Sequence, residues 1–339
     1  MLSLSHKQKF ALKYLSKKLD FQPTIANTAL KENGEKKKVV VSVDIEALKI
    51  RADNNHFEKL IIGKFGDRYH GFTKLMELSE KLCMRLSCFY DFCAYETYGK
   101  RIIDFAEEII HRGHDLQLHA HPGEIDRLVW KKYGFQREPN CQNCTMKEAD
   151  MFFEYLLNIF SKINTTVSQP VSFRGNSFTF NRNILESMPK YGLRVSSNYY
   201  PRSQFQQQFN ILCPQFTWPN GIIELPISIV PSSFFYYHYF DICQFINTPE
   251  FLIKIIIERF YRKFGNNAIL VIVLHSWSLL DMTNSGYFVP PANNKRILFF
   301  EKFFNMLSVE YDIVTISDII KLNSLGNLSF CNINSAKLL

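Results

Sequence analysis

The sequence predicts an α/β fold with a mostly parallel sheet, closed into a barrel. Three observations carry this expectation. From about residue 38 onward, short apolar runs of strand length alternate with segments of helical spacing. Seven or eight such units fit the chain of 339 residues, and that number suits a closed barrel. No G-x-G-x-x-G or P-loop signature follows any strand, so an open doubly wound sheet, the alternative architecture, lacks its usual nucleotide-binding support.

Taken in order, 38–44 (KVVVSVD) is a β-branched run, 71–83 has helical spacing, and 85–92 (RLSCFYDF) reads as a strand. Residues 101–112 form an amphipathic helix, with Arg101, Asp104, Glu107, Glu108 and His111 recurring every three or four positions and Gly113 to end it. Residues 115–121 follow as a strand. Thr145 and Glu148 make a capping-box pattern before a helix over 146–162. Strands are expected at 171–174, 194–197, 222–226, 268–275 and 311–315. Helices are expected at 181–191, 251–264, 293–308 and 316–322.

Aromatic content is high, with 31 Phe and 16 Tyr, enough apolar surface for most of the chain to fold around a large core. The net charge of +8 is uneven: residues 1–38 hold nine lysines against three acidic residues. The remaining body is nearly neutral, which argues against a nucleic-acid enzyme with a basic groove. The chain thus divides into a basic, helical N-terminal segment (1–37), a barrel (38–322) and an Asn/Ser-rich tail (323–339). The basic segment is either a solvated amphipathic helix or a contact for an anionic membrane surface or acidic partner. Lysines 7, 9, 13, 17 and 18 interrupt any secretory apolar region, and no run reaches membrane-helix length. These features predict a cytoplasmic protein, with peripheral membrane contact through the basic segment as the further option. The eight cysteines are dispersed, with no secreted framework. Cys141 and Cys144 form a lone CxxC, half of a zinc knuckle, and read as a reduced loop.

In parallel β/α folds, chemistry sits at the carboxyl ends of strands. The strand ends here carry Asp44 and Glu46, His119 and His121, Arg174 with Asn176, Glu224, and His275 with Trp277. Residues two apart on an extended chain point to one side, so Asp44/Glu46 and His119/His121 are each same-face pairs. Two imidazoles directed to one point suit a divalent metal. His114 precedes its strand and reads as structural.

These residues, in this order, resemble the NodB-homology polysaccharide deacetylases (carbohydrate esterase family 4), as a divergent member. Five motifs carry the resemblance: SVDIE at 42–46, GHDLQLHAHP at 113–122, FRGNSF at 173–178, ELP at 224–226 and VLHSW at 273–277. The chain has D-x-E where adjacent aspartates are commonest, and H-x-H where H-x-x-x-H is usual. Its arginine motif lacks the usual proline and aromatic residue.

The resemblance implies a distorted (β/α)7-type barrel and hydrolysis of an N-acyl amide on a sugar, with a carbohydrate as partner. It implies one divalent metal, Zn²⁺ by preference, held by Glu46, His119 and His121. Asp44 would be the general base, Arg174 would hold Asp44 ionised, and His275 would be the general acid. Asn176, Leu274 (lining an acyl pocket) and Trp277 would contact substrate. Trp218 and the aromatic cluster at 234–239 are further candidates for sugar stacking. Acyl or formyl transfer at the same site, and an inactive sugar-binding protein, are the alternatives.

Overall fold

The structure is a computed structural model, and it describes residues 36–132, 140–164, 169–201, 211–229 and 242–331. Nearly all of the expected basic segment lies outside the described residues.

The sheet contains nine strands: β1 (Lys38–Ile45), β2 (Ser87–Asp91), β3 (Asp115–Ala120), β4 (Ser172–Gly175), β5 (Val195–Ser196), β6 (Phe216–Thr217), β7 (Ile223–Glu224), β8 (Ile269–His275) and β9 (Asp312–Ile313). Their order is β8-β1-β2-β3-β4-β5-β7-β6, with β9 alongside the start of β1. Every pairing is parallel except β6 with β7. Helices α1 (Phe72–Glu80), α2 (Lys100–His111), α3 (Met146–Phe160), α4 (Arg182–Ser187), α5 (Glu250–Phe264), α6 (Lys295–Glu310) and α7 (Ile316–Ser324) follow or separate the strands. The expected alternation is therefore the observed one.

Alternate residues of each strand divide between two cores, as a period of two requires. Val39, Val41, Val43, Leu270, Ile272 and Leu274 pack outward with helix residues such as Phe105, Phe153 and Phe300. Val40, Phe89, Ile269, Val271 and Val273 belong to a second cluster, which Ile316 and Ile319 of α7 join. Parallel strands covered on both faces read as continuous apolar runs, which is why β1 and β8 stood out in the sequence.

No ladder joins β8 to β6 or β7 among the described residues, and this is where the barrel is distorted. Side chains close the seam. The Ile269 amide donates to Gln215 Oε1 at 3.0 Å, and the Val271 amide donates to Ser228 Oγ at 2.8 Å. Gln215 Nε2 donates to the carbonyls of Asn267 and Ser329, both at 2.9 Å. Two backbone donors left over on the edge strand, those of Ile269 and Val271, are thus satisfied without a neighbouring strand.

Local chemistry sets several boundaries. Thr145 and Glu148 do form a capping box at the start of α3, with Thr145 Oγ1 accepting from the Glu148 amide at 3.2 Å. The single helix expected over 181–191 is instead α4 followed by a 3₁₀ turn at Met188–Tyr191. Pro189 has no N–H to give the Leu185 carbonyl, and Asn220 Nδ2 takes that carbonyl at 2.7 Å. The last helix runs to Ser324, two residues past the expected end of the barrel. Beyond it, the Cys331 amide still donates to the Gln215 carbonyl at 3.1 Å, so the chain stays attached there. No helix among the described residues is long and apolar enough to cross a membrane.

Candidate metal and catalytic site

The carboxyl ends of β1, β2, β3, β4 and β8 converge on one rim. Register places their polar residues side by side: Asp44 opposite His275, Asp91 opposite His119, and His119 opposite Arg174. The odd–even sorting that sends Val43 and Ile45 to the helices sends Asp44 and Glu46 to the inner face, both buried.

Glu46, His119 and His121 offer one donor atom each, all within 4.8 Å of one another. His119 Nε2 lies 3.1 Å from Glu46 Oε2, and its Nδ1 lies 2.8 Å from the Arg174 carbonyl. That second contact fixes Nδ1 as the protonated nitrogen and leaves Nε2 free to ligate. His121 Nε2 abuts the same Glu46 oxygen but has no hydrogen-bond geometry to any partner. Burial works to raise the Glu46 pKa, but the two imidazoles outweigh it and hold the carboxyl well below its usual range. Burial likewise works to lower the His121 pKa, and the Glu46 charge overcomes it, moving it from 6.5 to about 9.

Beside this cluster, Arg174 is fully buried over the Phe89 ring, 3.9 Å from its centroid. Its Nη1 donates to Asp44 Oδ1 at 2.6 Å and to Ser42 Oγ at 3.1 Å. Its Nη2 and Nε bind Ser197 Oγ and the Ser197 carbonyl at 2.8 and 3.2 Å. A guanidinium with its fork so occupied holds one carboxylate orientation. Burial pulls the Arg174 pKa down while Asp44 opposes it. Gly175 must be glycine, because a Cβ there would meet the Thr179 carbonyl oxygen at 2.3 Å, and this close turn follows Arg174 directly.

His275 Nε2 lies 4.0 Å from Glu46 Oε1, and the ring stacks on Trp277 at 5.2 Å. The Ser278 hydroxyl accepts its backbone amide at 2.8 Å. Its side chain is 26% exposed, against 5% for Asp44 and Glu46, so it faces the approach to the site.

The structure thus brings together Asp44, Glu46, His119, His121, Arg174 and His275. Leu274 is not among them: it is fully buried in the helix-facing core, on the opposite face of β8 from His275. An acyl pocket lined by Leu274 does not fit that placement; the strand period turns it outward. The Asn176 side chain turns to Thr179 Oγ1 at 3.3 Å. Trp277 is wedged between His275 and Phe288 and is only 9% exposed. Trp218 is buried and donates to Glu224 Oε2 at 2.8 Å, a packing role, and the cluster at 234–239 lies outside the described residues. His114 is structural, accepting the Leu86 amide at 3.2 Å. Cys141 and Cys144 are buried free thiols.

Sequence reasoning missed Asp91. It is 2% exposed, and its Oδ1 accepts the amides of Cys93 and His121 at 2.9 and 3.3 Å. The signal was available: an acid closing the apolar strand SCFYD, as Asp44 closes β1.

No protein-family model and no curated protein sequence matches the chain. Solved structures do. A Mycobacterium smegmatis protein described as a polysaccharide deacetylase superposes with a TM-score of 0.55 at 14% identity, covering 92% of this chain and 99% of that one. A Bacillus anthracis pseudoenzyme of carbohydrate esterase family 4 gives 0.41 at 12% identity, over 84% of this chain and 66% of that one. The Bacillus subtilis peptidoglycan deacetylase PdaC gives 0.41 at 10% identity, over 87% and 95%. The first of these likenesses shows the fold: the chain has the distorted β/α barrel of a polysaccharide deacetylase structure, as its motifs led one to expect.

Proposed function

We propose that the chain is a metal-dependent deacetylase, an amide hydrolase that removes an N-acyl group from a sugar. The observation that carries this reading is one rim on which a three-donor metal cluster adjoins an arginine-held carboxylate and a half-open histidine.

The donor set fits a metal. Two imidazole nitrogens and a carboxylate oxygen, buried and aimed at one point, are costly without a cation between them. Two nitrogens and one oxygen suit Zn²⁺ and leave a coordination position open. When bound, such an ion supplies Lewis acidity toward an amide carbonyl and lowers the pKa of water.

The remaining steps belong to the chain itself. Asp44, oriented by the Arg174 guanidinium, takes a proton from the attacking water. His275, in register with Asp44 on the neighbouring strand, gives a proton to the departing sugar amine. Stacking on Trp277 orients its ring at the mouth of the site, and Ser278 Oγ holds its backbone amide. The substrate class follows from the motif resemblance: an N-acylated sugar, sugar nucleotide or oligosaccharide of surface-polysaccharide synthesis.

Metal analysis of the purified chain, together with an assay of released acetate or formate across such substrates, tests the reading. Near-stoichiometric divalent metal, lost in His119→Ala, and acyl release into water are expected. A chain that binds sugar but neither holds metal nor releases acid would be a binding protein instead.

A further inference from the structure

The cluster leaves one buried charge unexplained. Asp91 ends β2, the strand between β1, which bears Glu46, and β3, which bears the two histidines. It is 2% exposed, and no lysine or arginine pairs with it among the described residues. A desolvated carboxylate without a counter-charge is costly, and backbone amides offset only part of that cost. Two amides reach its Oδ1, and one is that of His121 itself.

The local charge balance gives the carboxylate a purpose. Arg174 takes up Asp44, so once both histidines are neutral, as ligation requires, the buried negative groups left around them are Glu46 and Asp91. Two neutral imidazoles and two carboxylates match one divalent cation. The same carboxylate pins the backbone of His121, whose side chain must reach the ion from just beyond the end of β3. Outer-shell carboxylates that orient a ligating histidine commonly set metal affinity.

We infer that Asp91 is a positioning residue of the metal centre: it fixes His121 through the backbone and supplies the second buried negative charge that a divalent ion requires. This inference rests on the proposed metal-dependent reading. Asp91 touches neither the reacting atoms nor the donor cluster.

Asp91→Asn separates the charge from the scaffold, because the amide oxygen can still accept both backbone N–H groups. Zn²⁺ affinity, measured by competition with a chelating dye, should fall about 10–100-fold. The metal-free melting temperature should stay close to that of the unmutated chain, and the rise in melting temperature on adding Zn²⁺ should shrink. The Co²⁺ absorption spectrum should keep its shape, because the three donors are unchanged. Unaltered Zn²⁺ affinity in Asp91→Asn, with metal bound normally by the unmutated chain, overturns the role of Asp91 and leaves the deacetylase reading standing. An unmutated chain that takes up no divalent ion overturns both. Should Asp91→Asn fold poorly, Asp91→Glu keeps the charge on a longer arm. It should retain more Zn²⁺ affinity than Asp91→Ala, and equal loss in the two would refute the charge argument.

Discussion

Strand β3 carries two buried polar clusters, one at each end, and they behave in opposite ways. At its start, Asp115 accepts from Ser317 Oγ, Gln117 Nε2 and the Ser317 amide at 2.5, 2.8 and 3.2 Å. Gln117 Oε1 in turn accepts the amides of Val171 and Ser172 at 3.0 and 2.9 Å. The side chains of Asp115, Gln117 and Ser317 all find partners of complementary kind, and together they staple α7 across the bottom of the barrel. At the other end, the Nε2 atoms of His119 and His121 converge with one Glu46 oxygen, three metal-type donor atoms aimed at a single point. Both clusters lie on the same strand face and are similarly buried. A satisfied buried network is architecture; a converging set of like donor atoms is a place for a ligand.

That contrast can be tested from both ends. The largest effect belongs at the carboxyl rim. Asp44→Asn removes the basic oxygen, and His275→Ala removes the proton donor. Each should lower turnover about 10²–10⁴-fold on a confirmed substrate, as measured by released acid, with metal content retained. Near-unchanged turnover in Asp44→Asn would exclude the mechanism. At the opposite end, Asp115→Ala should leave bound metal stoichiometric but strand the donors of Ser317 and Gln117. Denaturant unfolding should show a loss of about 1–3 kcal/mol. A loss of metal without a loss of stability there would erase the distinction between the two clusters.

The third effect is one of pH. In the metal-free chain His121 holds its proton up to about 9, because Glu46 outweighs burial. A raised histidine pKa stabilises the metal-free fold fully below 6.5, and that contribution is lost as pH rises through about 9. Metal affinity moves the other way, since Nε2 must be bare to ligate. Apparent Zn²⁺ affinity should climb about tenfold per pH unit through neutrality and level off near the His121 pKa, with one proton released per ion in calorimetry. A pH-independent affinity over that range would mean that His121 is not a ligand.

Much of this was legible in the sequence, for definite reasons. β1 and β8 are continuous apolar runs whose last residues change abruptly to Asp, Glu and His, so both strand and site announce themselves. The i, i+2 spacing of His119 and His121 survives into three dimensions because a strand leaves little freedom. Leu274 was misplaced by the same rule applied too loosely: it neighbours His275 in sequence and therefore faces away from it. Asp91 was passed over because its strand end carries a single acid and no second polar residue. The seam could not be read at all. Gln215 and Ser228 lie in short, irregular segments, and their role depends on an edge strand more than 40 residues distant.

That seam has a consequence for the birth of the molecule. Strands β1 to β4 can pair as they are synthesised, but the carboxyl-terminal half supplies β8, the partner that flanks β1 on its other side. The bonds of Gln215 reach forward to 267, 269, 329 and 331. A ribosome-bound chain therefore holds an open, strongly apolar β1 edge until those residues emerge, and closure of so non-local a contact is slow. Between the making of β1 and the making of β8 that apolar edge stays unpaired, the condition under which strand edges associate with other chains.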